Sequence, residues 1–271
     1  MPKKSSGTLA DIIRQAVHDV VQNGFSWDRL KLWQGRIEMA LQIYRSTTSS
    51  ERRISKGLLD LFLRKTSPVA LSKVHKGIDR ITLSMIATRS RSLLDDRIMA
   101  SADLIRLNRE RSIARTLDRF SGWATSIPTT GSSQNVGETI SHIAKPLRSM
   151  SFEERRLFID QGHKLISNVN HVIALQTDAI AGMWRHVHQA NYDGRPEHEA
   201  LDGKWFVFKD GWAYREGFIT KGDGFIEEIE EMPAMAPFCR CWMSYSRGLR
   251  TVPVSLLTAK GRKAFEEAKV S

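Results

Sequence analysis

The sequence predicts a mainly α protein with a small α+β C-terminal module: a helical N-terminal region, a long helix, then a β-hairpin-rich unit. Three observations carry this. Apolar residues keep helical spacing through residues 1–124, with few Gly or Pro to interrupt them. The same spacing resumes after Ser151 and runs on towards Gln189. After Asn191 it gives way to short aromatic runs separated by glycine turns.

The elements follow in order. Thr8 stands as an N-cap ahead of Leu9, Ile12, Ile13, Ala16, Val17, Val20 and Val21, a helical stripe that Gly24 ends. Ser26 can cap the next helix, whose stripe is Leu30, Trp33, Ile37, Leu41 and Tyr44. Ser67-Pro68 marks a helix start, because Pro at the first helical position lacks only an N–H that has no helical partner there. Helical spacing then holds from Val69 to Ile86. A further helix runs from about Leu93 to Trp123, with Leu94, Ile98, Ile105, Ile113, Leu117 and Phe120 on its buried side. Residues 125–137, TSIPTTGSSQNVG, are small, polar and turn-rich and read as a linker.

Ser151-Phe152-Glu153-Glu154 matches a capping box, in which hydroxyl and carboxylate each satisfy a backbone N–H of the first turn. The stripe Leu157, Leu165, Val169, Val172, Ile173, Ile180, Trp184 and Val187 follows. Unbroken to Gln189, that helix would be roughly 60 Å long at about 1.5 Å per residue, with Asn168 and Asn170 as places for a break. Lys204–Phe208, a Lys-Asp-Gly turn and Trp212–Tyr214 read as strand–turn–strand. Cys239–Tyr245 has aromatic strand character, and a helix from Leu256 to about Lys269 closes the chain. The expected organisation is a basic helical region at 1–124, the linker at 125–137, a module at 138–250 and a helical tail at 251–271.

Composition narrows the function classes. Hydrophobic residues make up 41% of the chain, enough for a real core. No stretch approaches the roughly 18 consecutive apolar residues of a membrane span. The basic start Met-Pro-Lys-Lys has no apolar signal-type run behind it, so the chain is expected to stay in the cytoplasm where it is made. Its two cysteines stand at i, i+2, which excludes a disulfide framework. The net charge of +11 lies wholly in one half. Residues 1–124 hold 23 Lys+Arg against 12 Asp+Glu, whereas residues 125–271 hold 18 against 18. Such asymmetry points the first half at something anionic, nucleic acid first. Arg52, Arg53, Lys56, Arg64, Lys65, Lys73, Lys76, Arg89, Arg91, Arg106, Arg109, Arg111 and Arg115 are the candidates for facing double-stranded DNA through non-specific phosphate contacts.

Chemistry concentrates in RPEHEALDG (residues 195–203) and in Cys239-Arg240-Cys241. One reading is structural zinc: His198, Cys239 and Cys241 supply three soft ligands, with His186, His188 or Asp202 as a fourth. A second is catalytic, a Cys-His-Asp set or a nuclease-like site from Asp193, Arg195 and His198, although no protease signature accompanies it. The third is a structural knot, with buried thiols, Asp202-Gly203 as a tight turn into the following strand, and Arg195 bridging to Asp193 or Asp202. The third is preferred, with no catalytic residue assigned. The aromatics Trp205, Phe206, Phe208, Trp212, Tyr214 and Phe218 read as core, and Glu227–Glu231 as a solvated run.

Trp184 at a helix end, then Asp193, Arg195, His198, Asp202 and Gly203, then Cys239-Arg240-Cys241, together resemble the Mu F-like minor capsid family of phage head-morphogenesis proteins. The resemblance covers about residues 165–245, roughly a third of the chain. Phe238 stands where the family often has Asn, and 1–124 lies outside the resemblance. It implies a structural minor head protein of a tailed bacteriophage, located in the virion at the capsid interior or portal vertex, and in the host cytoplasm during assembly. Its implied partners are the portal or major capsid protein and double-stranded DNA, in multiple copies, with no membrane and no required cofactor. It would act in head assembly, DNA packaging or delivery. The alternative is a nucleic-acid-processing enzyme with a basic helical DNA-binding half.

Overall fold

The computed structural model describes residues 8–75, 78–132, 135–187 and 194–270. It is mainly α, with one small mixed sheet in the C-terminal region, as the sequence predicts. The helices are α1 (Leu9–Asn23), α2 (Trp27–Leu41), α3 (Thr48–Lys65), α4 (Pro68–Val74), α5 (Arg80–Arg89), α6 (Arg91–Thr125), α7 (Val136–Arg148), α8 (Met150–Gln176), the single turns α9 (Pro196–Glu199) and α10 (Trp212–Arg215), and α11 (Ala259–Val270). The strands are β1 (Ala181–Arg185), β2 (Trp205–Val207), β3 (Gly224–Phe225) and β4 (Trp242–Ser246). No helix among the described residues is long and apolar enough to cross a membrane.

The chain forms two compact units, each discontinuous in sequence: residues 1–53 with 100–157, and residues 54–99 with 158–271. Sequence halves and structural units therefore differ. The charge excess divides between the units, with 18 Lys+Arg against 11 Asp+Glu in the first and 23 against 19 in the second.

In the first unit, Ile13, Val17 and Val20 of α1 pack with Leu30, Trp33 and Ile37 of α2, Ile113 and Phe120 of α6 and Ile143 of α7. Those of α1, α2 and α6 are the stripes predicted from spacing, whereas helix α7 with Ile143 was not predicted. Thr8 and Asp11 cap α1 reciprocally, and the Ser26 hydroxyl accepts the Arg29 N–H at 3.2 Å. Residues 125–137 do not separate units. Their described part is the turn from α6 to α7 inside the first unit, anchored by buried Ile127. The Phe25 N–H donates to the Pro128 carbonyl at 3.2 Å and the Ser132 N–H to the Val21 carbonyl at 3.0 Å. Polar, turn-forming residues serve a packed turn as readily as a tether.

The capping-box reading of Ser151 and Glu154 is also corrected. Helix α8 already begins at Met150, with the Glu153 N–H bonded to the Ser149 carbonyl at 2.9 Å. Glu154 is buried instead, and its carboxylate accepts from Arg109 Nε at 2.8 Å, Arg53 at 3.0 Å and the Ser50 hydroxyl at 2.7 Å. Arg109 also donates to the carbonyls of Tyr44 and Ser46. These partners outweigh a local cap because a buried carboxylate must be neutralised and fully hydrogen-bonded.

In the second unit the helix expected over Val69–Ile86 is two helices. Ser67 caps α4 as predicted, but α4 ends at Val74, and Asp79 begins α5 by accepting the N–H groups of Ile81 and Thr82, both at 2.9 Å. The long helix stops at Gln176, not Gln189, so α8 is about 40 Å long. Asp178 turns the chain with φ of 48°, and Ile180 leads into β1. The sheet order is β3-β2-β1-β4, with β1 antiparallel to both neighbours and β2 parallel to β3. The expected 204–214 hairpin is replaced, because Trp212–Tyr214 turn into α10 and β2 pairs with β1 and β3. Two cores cover the sheet: Trp184, Phe206, Phe208, Met243 and Tyr245 belong to one, and Ala181, Val207, Ala213, Phe225 and Leu257 to the other. The predicted core aromatics therefore do pack, although Trp212 keeps 37% of its surface exposed. The closing helix begins at Ala259 rather than Leu256, which lies in a 3-10 turn.

Replacing Glu154 tests the ion cluster. Glu154→Ala leaves Arg109 nearly buried without a counter-charge and should cost about 3–5 kcal/mol in denaturant unfolding. Glu154→Gln keeps shape and part of the hydrogen bonding and should cost visibly less. Equal, small losses in the two variants would show that Arg109 does not depend on Glu154.

Candidate functional site

Strand β1 positions the site. Its central place in the sheet fixes Trp184, which faces Met243 of β4 and is fully buried. The Trp184 N–H donates to the Lys204 carbonyl at 2.9 Å, and the Gly203 N–H returns to the Trp184 carbonyl at 3.0 Å. That return needs the left-handed φ of 79° at Gly203, so the turn read from Asp202-Gly203 is present. The Asp202 carboxylate accepts the His186 backbone N–H at 2.8 Å, which ties the turn to the residue just past β1.

His198 sits on α9 and is buried, with its ring edge-to-face against Trp184 at 5.5 Å. Its Nε2 faces a Glu231 carboxylate oxygen at 3.1 Å. Its Nδ1 faces the sulfurs of Cys239 at 3.4 Å and Cys241 at 3.9 Å. His186 joins from the other side, with Nδ1 3.4 Å from Cys241 Sγ. Both cysteines are buried free thiols in the core that contains Trp184. They lie in the loop before β4 rather than on a strand, so strand alternation does not decide where their sulfurs point.

That loop is irregular and held from outside. Ala234 and Phe238 have left-handed φ of 68° and 61°. Asp160 of α8 accepts the Phe238 N–H at 2.6 Å, and the Ser167 hydroxyl donates to the Pro233 carbonyl at 2.7 Å. Arg195 reaches the Pro237 carbonyl at 3.3 Å, rather than serving only its own turn. Arg240 between the cysteines is partly exposed, and its charge helps to lower the His163 pKa, second to burial.

Electrostatics at the sulfurs follow from one shared hydrogen bond. The bond from Cys241 pulls the Cys239 pKa down, and the same bond, with burial, pushes Cys241 up. The Trp184 indole N–H lies close enough to favour a Cys241 thiolate, but forms no hydrogen bond of ordinary geometry.

A second buried cluster lies behind β4. Arg247 donates to His75 Nδ1 at 2.8 Å, and His75 Nε2 faces the Asn170 side-chain oxygen at 3.2 Å. The ring is therefore a neutral Nε2–H imidazole. It is stacked on Tyr245, whose hydroxyl meets His171 Nδ1 at 3.0 Å. Burial first, and the Arg247 charge second, lower the His75 pKa to about 4, against the Asn170 hydrogen bond.

Of the predicted residues, Trp184, Arg195, His198, Asp202, Gly203, Cys239, Arg240 and Cys241 converge on one region, whereas Asp193, His188 and Lys76 lie outside the described residues. Sequence reasoning missed Glu231, Asp160 and Ser167. Only the run Glu227–Glu231, read as solvated, offered a signal, and one of its carboxylates holds His198. Among the DNA candidates Arg109 is taken up by Glu154, and Arg53 and Arg106 pair with Glu154, Asp103 and Glu51. Arg52, Lys56, Arg64, Lys65, Lys73, Arg89, Arg91, Arg111 and Arg115 are exposed. Arg111 and Arg115 edge a polar cleft of about 250 Å³ with Asn108, Ser112 and Ser149.

Two measurements check this geometry. Neutral burial of His75 contributes stability that is present above the unfolded pKa of 6.5 and lost as pH falls towards its folded value of about 4. The loss should reach about 3 kcal/mol across that window, because a protonated ring would be desolvated and would also face Arg247. In His75→Gln the fall with pH should shrink by about that amount; an identical pH profile would show that His75 is not buried neutral. Separately, Phe238→Asn puts a residue that tolerates left-handed φ where Phe is strained, and should stabilise by about 1 kcal/mol. A lower melting temperature would mean that the Phe238 ring contributes more than its backbone costs.

Comparison with known proteins gives no match to this chain, whether among family models, curated proteins or solved structures.

Proposed function

We propose that this chain is a structural minor head protein of a tailed bacteriophage, associated with the portal or inner capsid and acting in head assembly, DNA packaging or delivery. The observation that carries this reading is the convergence of Trp184, Arg195, His198, Gly203, Cys239 and Cys241. The residues behind the Mu F-like resemblance are far apart in sequence, yet they form one closed cluster. An enzyme needs an approach for substrate. His198, Cys239 and Cys241 are exposed by 5%, 2% and 2%, which suits cohesion better than turnover. Exposed basic residues on both units suit a neighbour packed with DNA, since each neutralised phosphate releases counterions. The proposed partners are the portal or major capsid protein and double-stranded DNA. The proposed location is the virion, with host cytoplasm during assembly.

Mass spectrometry of purified particles should find the chain at a fixed, low copy number, and its absence from particles would overturn the proposal. Duplex binding by the full chain should be sequence-independent and weaken steeply with salt. Arg111→Gln with Arg115→Gln should lower the log–log salt slope by about 1–2 without loss of folding. An unchanged slope would remove this face from the DNA contact.

A further inference from the structure

We propose that His198, Cys239, Cys241 and His186 form a closed tetrahedral Zn²⁺ site that staples α9 and the cysteine loop to the end of β1. The argument is independent of the phage reading.

Geometry comes first. A zinc ion with bonds of about 2.3 Å to sulfur and 2.05 Å to nitrogen sets S···N edges of about 3.6 Å and an S···S edge of about 3.8 Å. The S···N separations are 3.4 Å (Cys239–His198), 3.9 Å (Cys241–His198) and 3.4 Å (Cys241–His186). The ligand atoms of His198, Cys239 and Cys241 all lie within 4.8 Å of one another. These three S···N separations fall within about 0.3 Å of a tetrahedral edge; His186 stands outside the mutual group of the other three ligands, so its ring turns inward to complete the tetrahedron when metal binds.

The surroundings point the same way. Metal-bound histidines usually donate their second ring nitrogen to a carboxylate, which fixes the tautomer and raises ligand basicity. His198 has that arrangement: Nε2 faces Glu231 at 3.1 Å, which leaves the Nδ1 lone pair towards the sulfurs. The Trp184 Nε1–H is completely buried beside Cys241 without a hydrogen-bond partner among the described residues. A metal-bound thiolate is the acceptor such a donor lacks. His186 is seated by close approach of the chain, since a Cβ on Gly194 would lie 2.5 Å from its Nε2. Of the three fourth ligands the sequence leaves open, His188 lies outside the described residues, Asp202 is engaged with the His186 backbone, and His186 itself reaches Cys241.

Two thiolates and two imidazoles in tetrahedral array select Zn²⁺ over hard cations. Four protein ligands leave no open position, so the site is structural rather than catalytic. Binding takes both cysteines as thiolates and releases their protons to solvent, with no redox change.

The full chain, purified under reducing conditions from zinc-supplemented medium, should carry one Zn²⁺ per chain by elemental analysis. Co²⁺ exchange should give thiolate-to-cobalt charge-transfer bands and tetrahedral d–d bands. Chelator should lower the melting temperature, and added Zn²⁺ should restore it. Because cysteine variants can misfold, the decisive variant is Glu231→Gln, whose side chain is half-exposed. Its zinc affinity should fall about 10–100-fold while the metal-free protein still folds, since the Gln side-chain oxygen can still accept from His198 Nε2. The proposal is overturned if reduced, folded protein takes up neither Zn²⁺ nor Co²⁺ with those bands. It is equally overturned if a folded Cys239→Ser, Cys241→Ser double variant keeps its metal.

Discussion

The C-terminal part of the second unit depends on a single imidazole held from both sides. Glu231 fixes one nitrogen of His198, and the sulfurs of Cys239 and Cys241 face the other. Neither element that contributes these groups is stable alone. Helix α9 is a single turn, far below the length at which a helix persists unaided. The cysteine loop holds Ala234 and Phe238 in left-handed backbone, a local cost that surrounding contacts must offset. Asp160 and Ser167 of α8 hold one side of that loop, and His198 holds the other. The ring packs edge-to-face on buried Trp184, which the inner strand β1 holds in place.

What was legible in the sequence is what local chemistry decides. The stripes of α1 and α2, the caps at Thr8, Ser26 and Ser67, and the Asp202-Gly203 turn depend on residues within a few positions of each other. Failures occurred where a distant partner prevailed. Ile180 and Trp184 sit four apart, which fits a helix, but alternation through Gly182 fits a strand equally well. The choice was made by Phe206 and Tyr245, which pair across Gly182 from elsewhere in the chain. Glu154 presents a correct capping pattern, yet Arg109, 45 residues away, claims its carboxylate. Short apolar runs and acidic residues are ambiguous locally, so tertiary partners settle them.

The candidate site divides in the same way. Its sulfurs and imidazoles were visible as residue types. The carboxylate on His198 was not, because 33 residues separate Glu231 from it and the acidic run around it reads as solvated surface. His186 was only one of three possible fourth partners. In the structure the Asp202 carboxylate accepts the His186 backbone N–H, the His186 ring reaches Cys241, and His188 lies outside the described residues.

Charge separates residues that serve the fold from residues available to a partner. Arg109 has a side chain only 12% exposed, and it closes a buried cluster, so its loss would be felt throughout the first unit. Arg111 and Arg115, two and six residues further along α6, are exposed, where substitution costs little stability. The same helix therefore carries a cation the fold needs and cations it does not. An excess of the second kind, present on both units, does not arise from packing and weakens the compact state slightly through self-repulsion. The anionic neighbour proposed above would offset that repulsion.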